Sequence, residues 1–520
     1  MITLINPNGI KTKGLQVQGG YPPIGLAYLA GQLKREGYPY EVIDAVGLAL
    51  DNYKALSRYP HIQQVGLEID DIVNLISAET KCIGLSAYFS SQWPALCELS
   101  FAIRKRFPKI PIILGGEHGT ALPEESLKTS PIDFIALGEG DETILDLAKA
   151  DYKDINNIPG MCYLNDGKLV KTSPRARITN LKEIALPDWD SFPLENYFSN
   201  RNSSGTDRGR SMLMLATRGC PYQCTFCSND NMYGQRYLER DPVDVVNEME
   251  LYVKKYKVQN IDLCDLTTII NRRWAIALCK ELIQRNLNIT FQMPTGTRAE
   301  AFNQELAELL FQAGCRNFAF APESGDNNIL KLVKKKVSLE KLEQAIHHVI
   351  NAKINLSCFF VYGFPQDTKE SIRNSIRLAR KFALWGVHDF SISRFLPYPG
   401  SELSEELYKK GKFAYDEDYY LLPVRFRDNR APNFCDNLSS NYLHWITIYT
   451  YINFYLLSFF LRPHRPIINL IAWLTTGVET TRYIKLLANK ISDQTGWRVH
   501  NSYIRRNKEE TTLHRPEHKT

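Results

Sequence analysis

The chain opens Met1-Ile2-Thr3-Leu4-Ile5-Asn6-Pro7, with no basic segment followed by a long apolar one. No signal peptide is therefore expected, and a first buried strand is. A disulfide framework is missing too: eleven cysteines, an odd number, lie at irregular spacings, which suits a reducing cytoplasm. Gly-x-Gly-x-x-Gly is absent after the first strand, so there is no dinucleotide fingerprint. Composition excludes a disordered chain, with 44% hydrophobic residues against 23% charged. Strong charge is missing from the body of the chain. Residues 482–520 hold nine Lys/Arg against four Asp/Glu, five of the six net positive charges. That basic end suits phospholipid head groups, nucleic acid or a solvated tail, and over 501–520 a flexible tail is the reading adopted. At 520 residues, two or three domains are expected.

What is present is Cys220-x₃-Cys224-x₂-Cys227, with Phe226 before the last cysteine. Three thiolates this close can hold three irons of a cuboidal iron–sulfur cluster and leave the fourth iron open to chemistry. Zinc would ask for a fourth Cys or His, and no partner motif is near.

Residues 1–150 alternate short apolar strands with amphipathic helices, which predicts a parallel sheet covered on both faces. Strands are expected at 2–5, 40–45, 82–86, 110–114 and 134–137. The turns Asn6-Pro7-Asn8-Gly9, Gly115-Gly116-Glu117-His118 and Gly138-Glu139-Gly140-Asp141-Glu142 would line its ligand crevice. Residues 151–210 read as a linker, with Ser203-Ser204-Gly205-Thr206 exposed and mobile. From 211 to 400 six strand–helix units recur, too few for a closed barrel, and Ser211–Ala216 delivers the cysteines to a strand's carboxyl end.

Spacing and six-unit plan together resemble the radical S-adenosylmethionine (SAM) superfamily. Tyr21-Pro22-Pro23-x-Gly25-Leu26, Gly115-Gly116-x-His118 and Gly138-Glu139-Gly140 resemble the N-terminal domain of its cobalamin-binding members, which include methyltransferases and the anaerobic porphyrin cyclase. That resemblance implies a 4Fe-4S cluster on Cys220, Cys224 and Cys227, with SAM chelated by the open iron and cobalamin on the first domain. It implies SAM contacts from Phe226, Asp265, Arg298, Glu323 and Ser357. Glu323, in Pro322-Glu323-Ser324-Gly325, matches the family's Glu-Ser-Gly element; a barrel-internal salt bridge is its alternative. Arg298 would pair with the SAM carboxylate or be a surface arginine, and Ser357 would act only if it points inward. Cys264 and Cys358 read as small core residues. Cobalamin contacts are expected from Asn8, Gly9, Pro23, Gly116, His118, Gly138, Glu139 and Gly140. The Asp-x-His-x-x-Gly sequence that supplies a lower axial histidine is absent, so His118 would not ligate cobalt; it would line the loop or touch the corrin or its nucleotide tail, with a purely structural histidine as the alternative.

After residue 400 the barrel rhythm stops. Trp445 to Leu461 is a run of seventeen uncharged residues, just short of the roughly 20 a spanning helix needs. It reads as a helical cap over the site, a membrane-surface contact or a span, within a helical C-terminal domain at 401–500. The fold expected is thus α/β: a doubly wound cobalamin-binding-type domain, a partial (β/α)6 barrel and a helical C-terminus. The function implied is a cytoplasmic methyltransferase, peripherally membrane-associated in one reading. It would act on an unactivated carbon of a hydrophobic small molecule and draw electrons from an external one-electron reductant. An oxidative cyclase and a non-catalytic cobalamin and cluster protein are the alternatives. Nucleic acid is not an expected partner, because the extra cluster cysteines and RNA-binding barrel of the methylthiolating enzymes are missing.

Overall fold

A computed structural model describes residues 1–13, 20–200, 204–425, 432–476 and 479–495. The tail at 501–520 lies outside them.

The first 171 residues supply β1 (Ile2–Asn6), β2 (Gly9–Thr12), β3 (Tyr40–Asp44), β4 (Tyr53–Ala55), β5 (Ile62–Val65), β6 (Cys82–Ser86), β7 (Ile112–Gly115), β8 (Phe134–Ala136), β9 (Met161–Asn165) and β10 (Lys168–Lys171). Seven of them form one sheet, in the order β10-β9-β8-β7-β6-β1-β3, while β2, β5 and β4 form a small antiparallel sheet beside it. The pairs from β3 to β8 are parallel. Every residue of β1 is buried, as a strand with helices on both faces requires. Helices Ile24–Arg35, Trp93–Arg106 and Asp141–Lys149 are three of those covering it.

β9 and β10 come from the stretch read as linker. They form a hairpin around Asp166 and Gly167, both at positive φ (48° and 74°), the backbone a tight two-residue turn demands. The hairpin pairs antiparallel with β8 and lengthens the sheet.

β11 (Ser211–Met214), β14 (Asn260–Leu263), β15 (Thr290–Thr297), β16 (Cys315–Glu323), β17 (Asn355–Tyr362) and β18 (Asp389–Arg394) form a six-stranded sheet in chain order, parallel throughout. The first and last strands do not pair, so the barrel is partial. A separate hairpin, β12 (Thr217–Gly219) and β13 (Tyr237–Glu239), stands on the carboxyl end of β11.

The foot of the barrel corrects one expectation. Far from exposed, Thr206 and Gly205 are buried, and a Cβ on Gly205 would stand 2.3 Å from the Gln292 amide. The buried Asp262 accepts from the Ser204 backbone N–H (2.8 Å), Asn260 (2.8 Å) and Gln292 (2.6 Å). Lys485, from the last described helix, donates to the Gly205 carbonyl at 2.7 Å. Polar groups inside the strand ends need partners, and this segment supplies them.

Helix Ser440–Leu461 does not cover the mouth. It runs along β18, where Tyr451 accepts from the Ile392 N–H at 2.8 Å and so occupies a donor on the free edge. Instead, the segment after β18 reaches the first domain: Phe395, Leu403, Tyr419 and Tyr420 share one apolar core with Trp93, Leu114 and Leu122. Among the described residues no helix is long and apolar enough to cross a membrane.

Candidate active site

The cysteine loop begins at β12. Gly219 has φ +83°, and a Cβ there would meet the Arg236 carbonyl oxygen at 2.1 Å, so only glycine lets the loop leave the hairpin. The Cys227 N–H turns back to the Cys224 carbonyl (3.0 Å), the Thr225 N–H donates to Val333 (3.1 Å), and the Thr225 carbonyl accepts from Leu403 (2.9 Å). Phe226 packs on Phe364 at 5.4 Å. Cys220 and Cys224 are half-buried, Cys227 is exposed, and none forms a disulfide. Burial pushes all three thiols up, Cys227 to about 11, while the charges of Arg298 and Lys335 pull Cys220 and Cys224 down.

Asp265 is turned into this scaffold. Its Oδ1 accepts from the Ala216 N–H (2.9 Å) and from the Thr217 hydroxyl (2.8 Å) and N–H, so it ties β14 to the root of the cysteine loop. Burial raises its carboxyl to about 6. Its position is that of a brace and not of a group facing the cleft.

Glu323 ends β16 at φ +68°, a strained conformation for a non-glycine residue, and pairs with Lys335 at 2.8 Å. Arg298 is 6% exposed and stacks on Tyr222 at 3.6 Å. One of its terminal nitrogens donates to the Lys336 carbonyl, and the other, Nη2, is buried without a partner. On β17, Leu356, Cys358 and Phe360 belong to the helix-side core. Ser357 therefore faces the barrel interior by strand alternation.

The two halves meet at their strand ends. Gly116 (φ +101°) follows β7 and Gly138 (φ +72°) follows β8. A Cβ on Gly116 would stand 2.8 Å from the Ala87 carbonyl oxygen, and one on Gly138 would stand 3.5 Å from that of Met232, just beyond the cysteines. Glu139 is engaged elsewhere than expected. Its carboxylate pairs with Arg218 (3.1 Å) and Arg177 (3.3 Å), while Arg218 grips both oxygens of Asp141 at 2.8 and 3.2 Å. Arg218 is 8% exposed, and two residues later comes Cys220. The first domain is thus bolted to the base of the cysteine loop.

Asn8 and His118 turn away from the cleft. Asn8 is buried and donates to the Leu67 carbonyl at 2.7 Å, and Gly9 opens β2. His118 is 0% exposed, stacked on Trp93 at 4.5 Å with Nδ1 3.0 Å from the Ser90 hydroxyl. The expectation that it lines a ligand loop is corrected: burial leaves the imidazole no surface to offer and lowers its pKa to about 3. Pro23 stands half-exposed before helix Ile24–Arg35, and Gly140 packs on Leu29.

Sequence reasoning missed Tyr88, Glu117 and Tyr398. Tyr88 is 66% exposed and Tyr398 48%, and desolvation raises both phenols. The charges of Tyr233, Cys264 and Glu117 add to the rise at Tyr88 and that of Cys227 to the rise at Tyr398, while burial raises the Glu117 carboxyl to about 7. Lys335 was hidden in the run Lys334-Lys335-Lys336.

The radical SAM superfamily model matches residues 214–379, and the B12 binding domain model matches residues 10–148. The chain is a radical SAM enzyme with a cobalamin-binding domain. An uncharacterized methyltransferase of Pyrococcus horikoshii is 28% identical over 74% of this chain and 78% of its own. The anaerobic magnesium-protoporphyrin IX monomethyl ester cyclase of Rubrivivax gelatinosus is 28% identical over 85% of this chain and 76% of its own. The cytidylyl-2-hydroxyethylphosphonate methyltransferase of Streptomyces wedmorensis is 25% identical, over 82% and 84%. In fold the chain resembles the radical SAM methyltransferase TsrM of Kitasatospora setae, solved with cobalamin and a [4Fe-4S] cluster. The TM-score is 0.61 at 18% identity, over 79% of this chain and 78% of that one.

The residues of this radical SAM enzyme fit the groups its family holds. Among the described residues no three His, Cys, Asp or Glu converge on a single metal ion. Thiolates that each take a different iron need no such convergence. The loop offers three free cysteines with two cations nearby to offset thiolate charge. The bare Nη2 of Arg298 is a buried donor in want of an acceptor.

Proposed function

We propose that this enzyme is a cobalamin-dependent radical SAM methyltransferase acting on an unactivated carbon of a hydrophobic small molecule. The observation that supports the reading is the ion-paired joint of Arg218 with Asp141 and Glu139, which ties the Gly138-Glu139-Gly140-Asp141 turn of the first domain to the base of the cysteine loop. A reaction that passes a group between two cofactors needs them held at a set distance, and two charged bonds two residues from Cys220 hold it.

In this reading Cys220, Cys224 and Cys227 hold three irons. Arg298 Nη2 takes the SAM carboxylate as a charge-assisted bond, Glu323 and Lys335 meet its polar groups, and Ser357 donates from β17. Phe226, seated on Phe364, stiffens the loop between the last two cysteines, and Asp265 braces its root. Gly116, Gly138 and Gly140 would contact the corrin. Tyr88, Tyr398 and Leu266, 45% exposed, give substrate an apolar wall. When bound, cluster and cobalamin supply the electron that splits SAM to a 5′-deoxyadenosyl radical and the carrier of the methyl group. The chain itself orients the reactants, and excludes water where residues 395–425 close against the first domain. An external one-electron reductant completes the set.

A second reading, oxidative cyclisation with the same cofactors, is favoured by the greater share of this chain that the cyclase relative matches. Product mass separates the two. Anaerobic enzyme with reductant, methyl-deuterated SAM and isoprenoid, lipid or porphyrin pools should yield a product carrying one deuterated methyl. A product of unchanged carbon count that has lost hydrogen would support the cyclase and refute methyl transfer.

A further inference from the structure

Helix Ser440–Leu461 is apolar on two opposite faces. Leu443, Thr450, Phe454 and Ser458 make the buried stripe against helix Lys369–Trp385 and β18. On the other side Trp445, Ile452, Leu456 and Phe460 are 66, 51, 67 and 83% exposed. The next helix, His464–Thr476, continues that surface with Ile467 and Ile471 at 58 and 54%. A helix hydrophobic all round belongs in a core or against an apolar phase, and a patch this continuous marks an interaction site.

Its charge says what lies against it. Residues 440–476 contain no Asp or Glu. Cations rim the patch, and their partners are neutral. Arg380 reaches Tyr449 and Asn453 and borders a groove with Leu456 and Phe460. Arg377 bonds Asn374, and Arg462 and Arg465 cap backbone carbonyls at the end of helix Lys369–Trp385. Among the described residues none of these charges is spent on a carboxylate partner. A protein partner for so apolar a face would need no cationic rim, whereas an anionic lipid surface needs both features.

We infer that the helical pair Ser440–Thr476 seats this protein on the surface of a bilayer containing anionic phospholipid, lying in the head-group layer without crossing it. The apolar stripe enters the acyl boundary while the arginines meet phosphates.

The test is co-sedimentation of the full-length protein with phosphatidylcholine vesicles, with and without phosphatidylglycerol. Wild type should sediment with the anionic vesicles and be released by salt. Arg377→Gln with Arg380→Gln should weaken binding about fivefold per charge removed. Leu456→Asp and Phe460→Asp should each weaken it by more than about tenfold, from lost burial of one large side chain. Both side chains point outward, so the unfolding midpoint should stay put and show that the variants fold. Quenching of Trp445 by brominated lipid, lost in Trp445→Phe, gives an independent readout. Failure to bind anionic vesicles would overturn the inference. So would equal binding to neutral ones unaffected by the arginine changes. A dimer that dissociates in Leu456→Asp, without vesicle binding, would assign the face to a second copy instead.

Discussion

Acidification should destabilise this protein in part through the His118 imidazole, and the size of that contribution follows from its burial. His118 has no exposed surface, and its pKa is lowered from 6.5 to about 3 because desolvation penalises the charged ring. A depressed folded pKa means that the unfolded chain takes up the proton first. Stability is therefore complete above 6.5 and is lost as pH falls toward 3. Between about pH 7.5 and about pH 5 the loss at this one residue is about 2 kcal/mol. His118→Gln keeps a partner for Ser90 and cannot titrate, so its unfolding free energy should fall by about 2 kcal/mol less than wild type over that interval. His388, also lowered to about 3 by burial, behaves alike in both proteins and cancels, as do the raised carboxyls of Glu117 and Asp265. Urea denaturation at the two pH values, with equal m-values as the control, measures the difference. An identical pH dependence in both proteins would refute the reasoning, and a directly observed His118 titration near its ordinary value would refute it as surely.

Three further outcomes follow from the joint and the loop. Arg218→Ala leaves Asp141 buried without its cation and Glu139 with Arg177 alone, and should cost about 3–5 kcal/mol of unfolding free energy; adding Asp141→Asn should recover much of it. Gly219→Ala forces a Cβ onto the Arg236 carbonyl at positive φ, so iron content after anaerobic reconstitution should drop sharply while cobalamin binding persists. Glu323→Ala should keep the cluster absorption and weaken SAM binding, read by equilibrium titration; unchanged SAM affinity would leave Glu323 as the salt-bridge partner of Lys335 alone.

Local chemistry was legible in the sequence and long-range pairing was not. The six barrel strands show as β-rich runs between amphipathic helices, and the cysteine spacing identifies the site. That Asp265 would brace β12 and not face the cleft depends on a contact 48 residues back in the chain, which periodicity does not encode. Arg218 and Glu139 each sit in a motif that was noticed, yet their bond spans 79 positions. Ser204 to Thr206 carried every mark of a mobile loop, because serine, glycine and threonine suit turns and buried polar networks equally. Only the inward-facing Asp262 and Gln292 decide between them. Helix Ser440–Leu461 was correctly found as a helix, but its place along β18 depends on an open strand edge that its own residues do not reveal.

The central claim is that Cys220, Cys224 and Cys227 hold a cluster whose open iron cleaves SAM. It is tested most directly by 5′-deoxyadenosine formation in anaerobically reconstituted wild type and Cys224→Ala, with reductant, SAM and substrate. Wild type should form 5′-deoxyadenosine. The variant, with two of three thiolates left, should lose the brown iron–sulfur absorption and all SAM cleavage while still binding cobalamin. A Cys224→Ala protein with full iron content and undiminished 5′-deoxyadenosine formation would contradict it, as would a cluster-loaded wild type that leaves SAM intact.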